Sequence, residues 1–290
     1  MTVPGPALQA ALLMTLSAAI SAVVNVLIRL CADAGIHPFE VAFFRSVFGF
    51  LAMAAVVVAT EREIPRTAAL PQLGFSALFH LMAMLSFFYG LTLIPLSDSA
   101  ALTFTAPLFG TLAAAFFLGE KVHARRWLAI AIGFGGVVIV LRPGFIPIGL
   151  GPALVLFSTV AFAGVTVLVK RMAATERTPT VVFYQSLLMS FLTLPPALLV
   201  WKAPDPLSFV LLAAIGALST LGWICFTRAF ALADASAILP LEFTRLPFVA
   251  VLAYLVFAEV PDLWVWIGAV VIFGSSLSIA HRENAASRRR

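Results

Sequence analysis

Glu242 and Arg245 stand three residues apart inside an apolar run that extends from Ser236 to Ala258, where any ionised group is costly. At i, i+3 on a helix the two share a face. Two chemistries fit: a self-neutralising pair that stabilises its own helix, or a polar contact for a zwitterion or a gate on the cytoplasmic side. Arg228, near the end of the preceding apolar run, can snorkel or pair with Glu242. His80 lies near the middle of another run, residues 71–93. It is either a hydrogen-bonded packing residue or a group that meets a solute or carries a proton, although no intramembrane carboxylate chain continues a relay. Asn25, Met84, Thr103, Thr105, Ser158 and Trp223 are the remaining candidates within apolar runs. Helix–helix hydrogen bonding is the competing account for the polar ones.

Metal or covalent chemistry has no foothold. His37, His80, His123 and His281 are scattered, and no His-Glu-x-x-His or paired-Asp motif occurs, so no metal or cofactor is expected. An integral-membrane transferase would need His, Asp, Glu or Cys gathered near one membrane face, which leaves that reading outside the main expectation. Cys31 and Cys225 lie in or beside apolar segments and support neither a disulfide nor a metal site.

The elements that position these residues follow from composition. Of the 290 residues 62% are apolar and 11% charged, far below the charge of a soluble domain, so most of the surface must face lipid. The net charge of +5 sits in short loops and the tail rather than on a continuous face, which argues against nucleic acid. Windows sized to the hydrocarbon core give ten spans near 8–30, 38–60, 71–93, 98–119, 125–141, 150–171, 180–201, 207–232, 236–258 and 263–281. No Lys or Arg precedes the first span, which reads as a retained helix rather than a signal peptide. With the N-terminus inside, Arg62, Arg66, Lys121, Arg125, Arg126, Lys170, Arg171, Arg177, Arg282 and Arg288 to Arg290 fall on the inner side, against Arg29, Arg142 and Lys202 outside. That bias predicts both termini in the cytoplasm.

The chain also repeats itself. Glu120, Trp127, Phe134 and Gly135 recur at an offset of 139 as Glu259, Trp266, Phe273 and Gly274. Ser17, Ala22, Arg29, Pro38 and Val41 recur at an offset of 141 as Ser158, Ala163, Lys170, Pro179 and Val182. Residues 1–142 and 149–282 thus read as two five-helix copies, with a periplasmic linker at 143–148 and a basic tail at 283–290. Five is odd, so the second copy enters the membrane upside down, the design of many alternating-access carriers. Pro107 and Pro247 each remove a backbone donor inside a span and offer hinges. Glu120 and Glu259, at helix–loop junctions, and Trp127 and Trp266, in the following opening turns, read as interfacial positions. Gly133, Gly135 and Gly136, with Gly268 and Gly274, suit close packing or dimerisation.

The tract Tyr89-Gly-Leu-Thr-Leu-Ile-Pro-Leu-Ser-Asp-Ser-Ala-Ala-Leu, then Ala106-Pro107-Leu108-Phe109, Leu118-Gly119-Glu120-Lys121 and Gly136-Val-Val-Ile-Val-Leu-Arg-Pro-Gly144, resembles the EamA-type domain of the drug/metabolite transporter superfamily. The resemblance covers both halves, with Phe257-Ala258-Glu259 where the family tends toward Leu-Gly-Glu. It implies an all-α, ten-helix inverted repeat, with helices 1, 3, 4, 6, 8 and 9 around a central cavity. Bacterial exporters of aromatic and other neutral amino acids are similar in length and organisation. The expectation is therefore a multi-pass bacterial inner-membrane transporter and not an enzyme. It would export a small amphipathic solute, an amino acid with an apolar side chain first, by alternating access. A sugar-, nucleoside- or drug-like solute is the alternative. Besides solute and lipid bilayer no partner is expected, and the chain is expected to be a monomer or weak homodimer.

Overall fold

Proline and capping residues set where the helices begin. The computed structural model describes residues 6–60, 67–103, 105–106, 108–109, 124–142, 149–173, 175–233 and 238–287. Among them run α1 (Pro6–Asp33), α2 (Pro38–Thr60), α3 (Leu70–Leu91), α4 (Leu96–Thr103), α5 (Ala124–Leu141), α6 (Leu150–Ala173), α7 (Thr178–Leu198) and α8 (Pro206–Leu232). A 3₁₀ turn (Leu239–Thr244), α9 (Arg245–Phe257) and α10 (Leu263–Ser287) follow. Pro38, Pro71, Pro179 and Pro206 occupy opening turns of α2, α3, α7 and α8, where a missing N–H costs nothing. At α2 the cap is reciprocal. His37 Nδ1 accepts the Phe39 N–H at 3.2 Å, and Glu40 Oε2 accepts the His37 N–H at 3.2 Å. The other oxygen of this fully buried carboxylate accepts the Lys202 N–H, tying α2 to the connection before α8.

Among the described residues six helices (α1, α2, α3, α6, α7 and α8) are long and apolar enough to cross a membrane. Much of the span expected at 98–119 lies outside the described residues, and the one expected at 236–258 differs from expectation. α4 is described from Leu96 to Thr103, and beyond it the Thr105 N–H reaches the Leu102 carbonyl at 3.1 Å and the Phe109 N–H the Thr105 carbonyl at 3.1 Å. The second span is broken into the 3₁₀ turn and α9. Pro247 explains the break: it has no N–H for the carbonyl four residues back, so a continuous ladder cannot pass it. Starting α9 at Arg245 places Pro247 in the first turn, where no donor is required. α9 ends at Ala258, whose φ of 54° is left-handed. That conformation favours glycine and accounts for a Gly at the matching position of the family pattern. Pro107, Glu120, the linker 143–148 and Arg288 to Arg290 lie outside the described residues.

The helices pair across the two halves. α1 lies along α8 and α3 along α6; α2 packs on α7 and α5 on α10. Further contacts join α2 to α8, α3 to α7, α1 to α9, α4 to α6, and α4 to α9. Exchanging each helix for the one five later turns this set of pairings into itself. α5 and α10 run antiparallel: a Cβ on Gly133 would meet Ser275, one on Gly136 would meet Ile272, and Val140 faces Gly268. The backbones touch there, since a Cβ on Gly268 would sit 2.4 Å from Val140 and 2.7 Å from the Gly136 carbonyl. Gly135 and Gly274 have nothing within 4 Å and take no part in this contact. Buried side-chain ties reinforce the pairing: Ser17 Oγ donates to the Gly222 carbonyl at 3.0 Å, and Thr220 Oγ1 to the Gly49 carbonyl at 3.1 Å.

Candidate solute site

Four helices bring polar groups together in the middle of the bundle. α3 presents His80 and, one turn on, Met84; α8 presents Ser219 and, one turn on, Trp223. His80 Nδ1 lies 3.2 Å from Gln185 Nε2 on α7. Its ring is 5.1 Å from Trp223 and 6.2 Å, edge-on, from Phe162 of α6. Trp223 in turn stacks on Phe226 at 5.2 Å with an 11° interplanar angle. The cluster is aromatic around one polar point. Gln185 is only 2% exposed, yet its Oε1 has no hydrogen-bond partner, and neither has the Trp223 indole N–H. Exchanging the two ends of the amide would still leave one of them unfilled. Such orphans are costly where no water competes.

One turn away sits Arg45 of α2, half-buried within the bundle. Its Nε donates to Ser219 Oγ at 2.8 Å and Nη1 to Met84 Sδ at 2.8 Å, and the guanidinium lies 5.7 Å from the Phe88 ring centre. Among the described residues no carboxylate pairs with it.

The expected site residues fall into separate groups. His80, Met84 and Trp223 meet here. Thr103, Glu242 and Arg245 meet where α4 faces α9: the Arg245 Nη2 donates to Thr103 Oγ1, and Glu242 and Arg245 lie within electrostatic reach. Glu242 belongs to the 3₁₀ turn rather than to a continuous helix, but i, i+3 neighbours eclipse in that geometry and the shared face survives. Asn25 is buried in α1. Thr105 is fully buried, donating to the Leu102 carbonyl at 2.7 Å and lying 3.1 Å from Thr159 Oγ1; Ser158 bonds back to the Val155 carbonyl at 2.6 Å. Both spend their hydroxyls on helix backbone. Pro247 is exposed and lines a surface groove with Tyr254 and Trp266. Arg228 is exposed as well.

Arg45 and Gln185 are the residues missed by sequence reasoning. The available signal was the same as for His80: a lone polar side chain deep in an apolar run. Arg45 was legible only as a charge within a span, because its partners Ser219 and Met84 come from distant helices.

Charges at the end of the bundle where α1 passes into α2 behave otherwise. Arg29 Nη1 donates to the Leu91 and Ile94 carbonyls at 3.0 and 2.8 Å, and its Nη2 lies 3.8 Å from Glu259. Glu259 Oε2 accepts the Leu96 N–H at 3.0 Å, capping α4. Arg142 pairs with Asp262 at 2.7 Å. Together these contacts fasten α1, the α3–α4 connection and the α9–α10 loop.

The profile of the EamA-like transporter family matches residues 8–142 and again residues 149–280. The chain belongs to the EamA-like transporter family. Relatives of this transporter include an S-adenosylmethionine uptake transporter of Rickettsia felis, 30% identical over 88% of this chain and 87% of the relative. A riboflavin transporter of Vibrio cholerae is 32% identical over 68% of this chain and 66% of its own length. A pseudopaline exporter of Pseudomonas aeruginosa is 29% identical over 94% and 96% of the two chains. A solved crystal structure superposes with a TM-score of 0.63 at 17% identity, covering 90% of this chain and 96% of that one, a likeness of fold. The EamA-like chain is thus a multi-pass transporter of the bacterial inner membrane, not an enzyme, and its business is with a small-molecule solute and the bilayer.

Proposed function

We propose that this transporter exports small amphipathic metabolites, neutral or aromatic amino acids first among them, by alternating access between two inverted five-helix repeats with both termini in the cytoplasm. The observation that carries this reading is the buried cluster His80–Gln185–Trp223, held by helices from both halves, with a donor and an acceptor left unfilled beside aromatic rings. Inversion is supported by the antiparallel run of α5 against α10 and by helix pairings that survive exchange of the halves. Lys and Arg counts support the orientation. The bond pattern fits a gate at Thr103–Arg245–Glu242 on the cytoplasmic side. Pro107 and Pro247 are the hinge candidates, and Asn25 and Thr105 remain lining candidates of lower rank. A second reading, import or export of nucleoside- or riboflavin-like solutes, is favoured by the names of two relatives.

Counterflow of labelled amino acids, sugars, nucleosides and riboflavin in vesicles holding the purified chain, at several imposed pH gradients, decides between them. Neutral or aromatic amino acids should exchange, and His80→Ala or Glu242→Gln should lower that flux while the protein stays folded. Exchange confined to nucleosides or riboflavin selects the second reading. Unchanged flux in both variants removes these residues from the site.

A further inference from the structure

Resting on that carrier reading, we infer that Arg45 is the anchor for the solute's anionic group, so that the transported class is a carboxylate-bearing molecule with a planar ring. A guanidinium has five donors in a rigid fork suited to a carboxylate. Arg45 spends two of them on a serine hydroxyl and a thioether sulfur, a weak acceptor. The other two arginines paired at the bundle end have carboxylates at 3.8 and 2.7 Å; Arg45, within an apolar helix, has none among the described residues. A cation inside a membrane bundle demands an anion or an aqueous path. Among the described residues no anion stands there, and the place is left to the cargo.

Position supplies the rest of the class. Met84 touches Arg45 and follows His80 by one turn; Ser219 touches Arg45 and precedes Trp223 by one turn. Residues so spaced stand about 6 Å apart on a helix, close to the separation of carboxylate and ring in an arylalkyl amino acid. With its carboxylate on Arg45, such a solute lays its ring against Trp223 and Phe162. Polar atoms on the ring edge can then fill the Gln185 amide and the Trp223 N–H. Selection follows: a solute stripped of its carboxylate leaves Arg45 uncompensated and is rejected.

The test uses full-length protein in vesicles and three pairs of labelled probes: tryptophan with tryptamine, phenylalanine with phenethylamine, and indole-3-propionate with indole-3-propionamide. Each acid should exchange faster than its uncharged or decarboxylated mate. Arg45→Gln should lose acid exchange roughly 10- to 100-fold, the scale of one charged hydrogen bond, and Arg45→Lys should retain part of it. Without solute, Arg45→Gln should melt no lower than the parent, because the charge removed has no counter-ion among the described residues. Equal exchange of acids and their mates, or parental flux in Arg45→Gln, sinks the inference and leaves the carrier reading standing. A lower melting point, with every solute slowed alike, makes Arg45 structural and also sinks it. A parent protein that moves no probe removes the choice of solute and the inference together.

Discussion

The two ends of one chemistry meet in this bundle: arginines that carboxylates of the protein answer, and an arginine that no described carboxylate answers. Arg29 and Arg142 reach carboxylates and carbonyls on other helices and close the end where α1 passes into α2. Arg45, facing the Phe88 ring, reaches a hydroxyl and a sulfur. A charge answered within the chain stabilises one arrangement of helices. A charge left unanswered costs stability until a ligand arrives, the trade expected of binding sites. The difference separates a fastening from a site by a criterion that burial alone would miss.

The contrast can be broken by removing charges in turn. Arg29→Ala should have the largest effect on stability, since it takes two charge-assisted hydrogen bonds to carbonyls and strands Glu259. About 2 kcal/mol is expected, read as a fall of several degrees in melting temperature in detergent. Asp262→Asn should do much less. Its side chain is 45% exposed, and exposed pairs contribute about 0.2–1 kcal/mol, an effect that added salt should erase. If Asp262→Asn proved as damaging as Arg29→Ala, the fastening would lie in the α5–α10 contact rather than at α1. The smallest shift belongs to His37, whose imidazole burial holds below its ordinary value against the pull of Glu40. Its Nδ1 caps α2 only when unprotonated. That contribution is present above the ordinary histidine pKa and is lost as pH falls below it. His37→Asn, which keeps a capping oxygen, should flatten the acid side of a melting-temperature profile.

Much of this architecture is legible in the order of the amino acids alone. Helix boundaries followed apolar length and the prolines at 38, 179 and 206, because these are local rules of backbone chemistry. The interruption before Arg245 was visible as Pro247 but not its consequence, since whether proline kinks a helix or restarts it depends on neighbours. His80 and Trp223 were legible as isolated polar or amphipathic side chains in apolar runs; that they touch was not. Contacts such as His80 with Gln185, 105 residues apart, or Arg45 with Ser219, 174 apart, are set by how helices from different halves cross. Glu259 repeated in register with Glu120, yet its task of capping Leu96 depends on a loop 163 residues earlier.

A solute site between the two halves requires them to lie oppositely in the membrane. Ala34 and Thr175 occupy matching, exposed positions at the repeat offset of 141. In a chain with Cys31 and Cys225 replaced by alanine, single variants Ala34→Cys and Thr175→Cys can be labelled in intact cells with a membrane-impermeant maleimide able to reach the periplasm. The inverted arrangement predicts that Ala34→Cys reacts at once and Thr175→Cys only after the membrane is opened. Equal reactivity of both from the same side would contradict it.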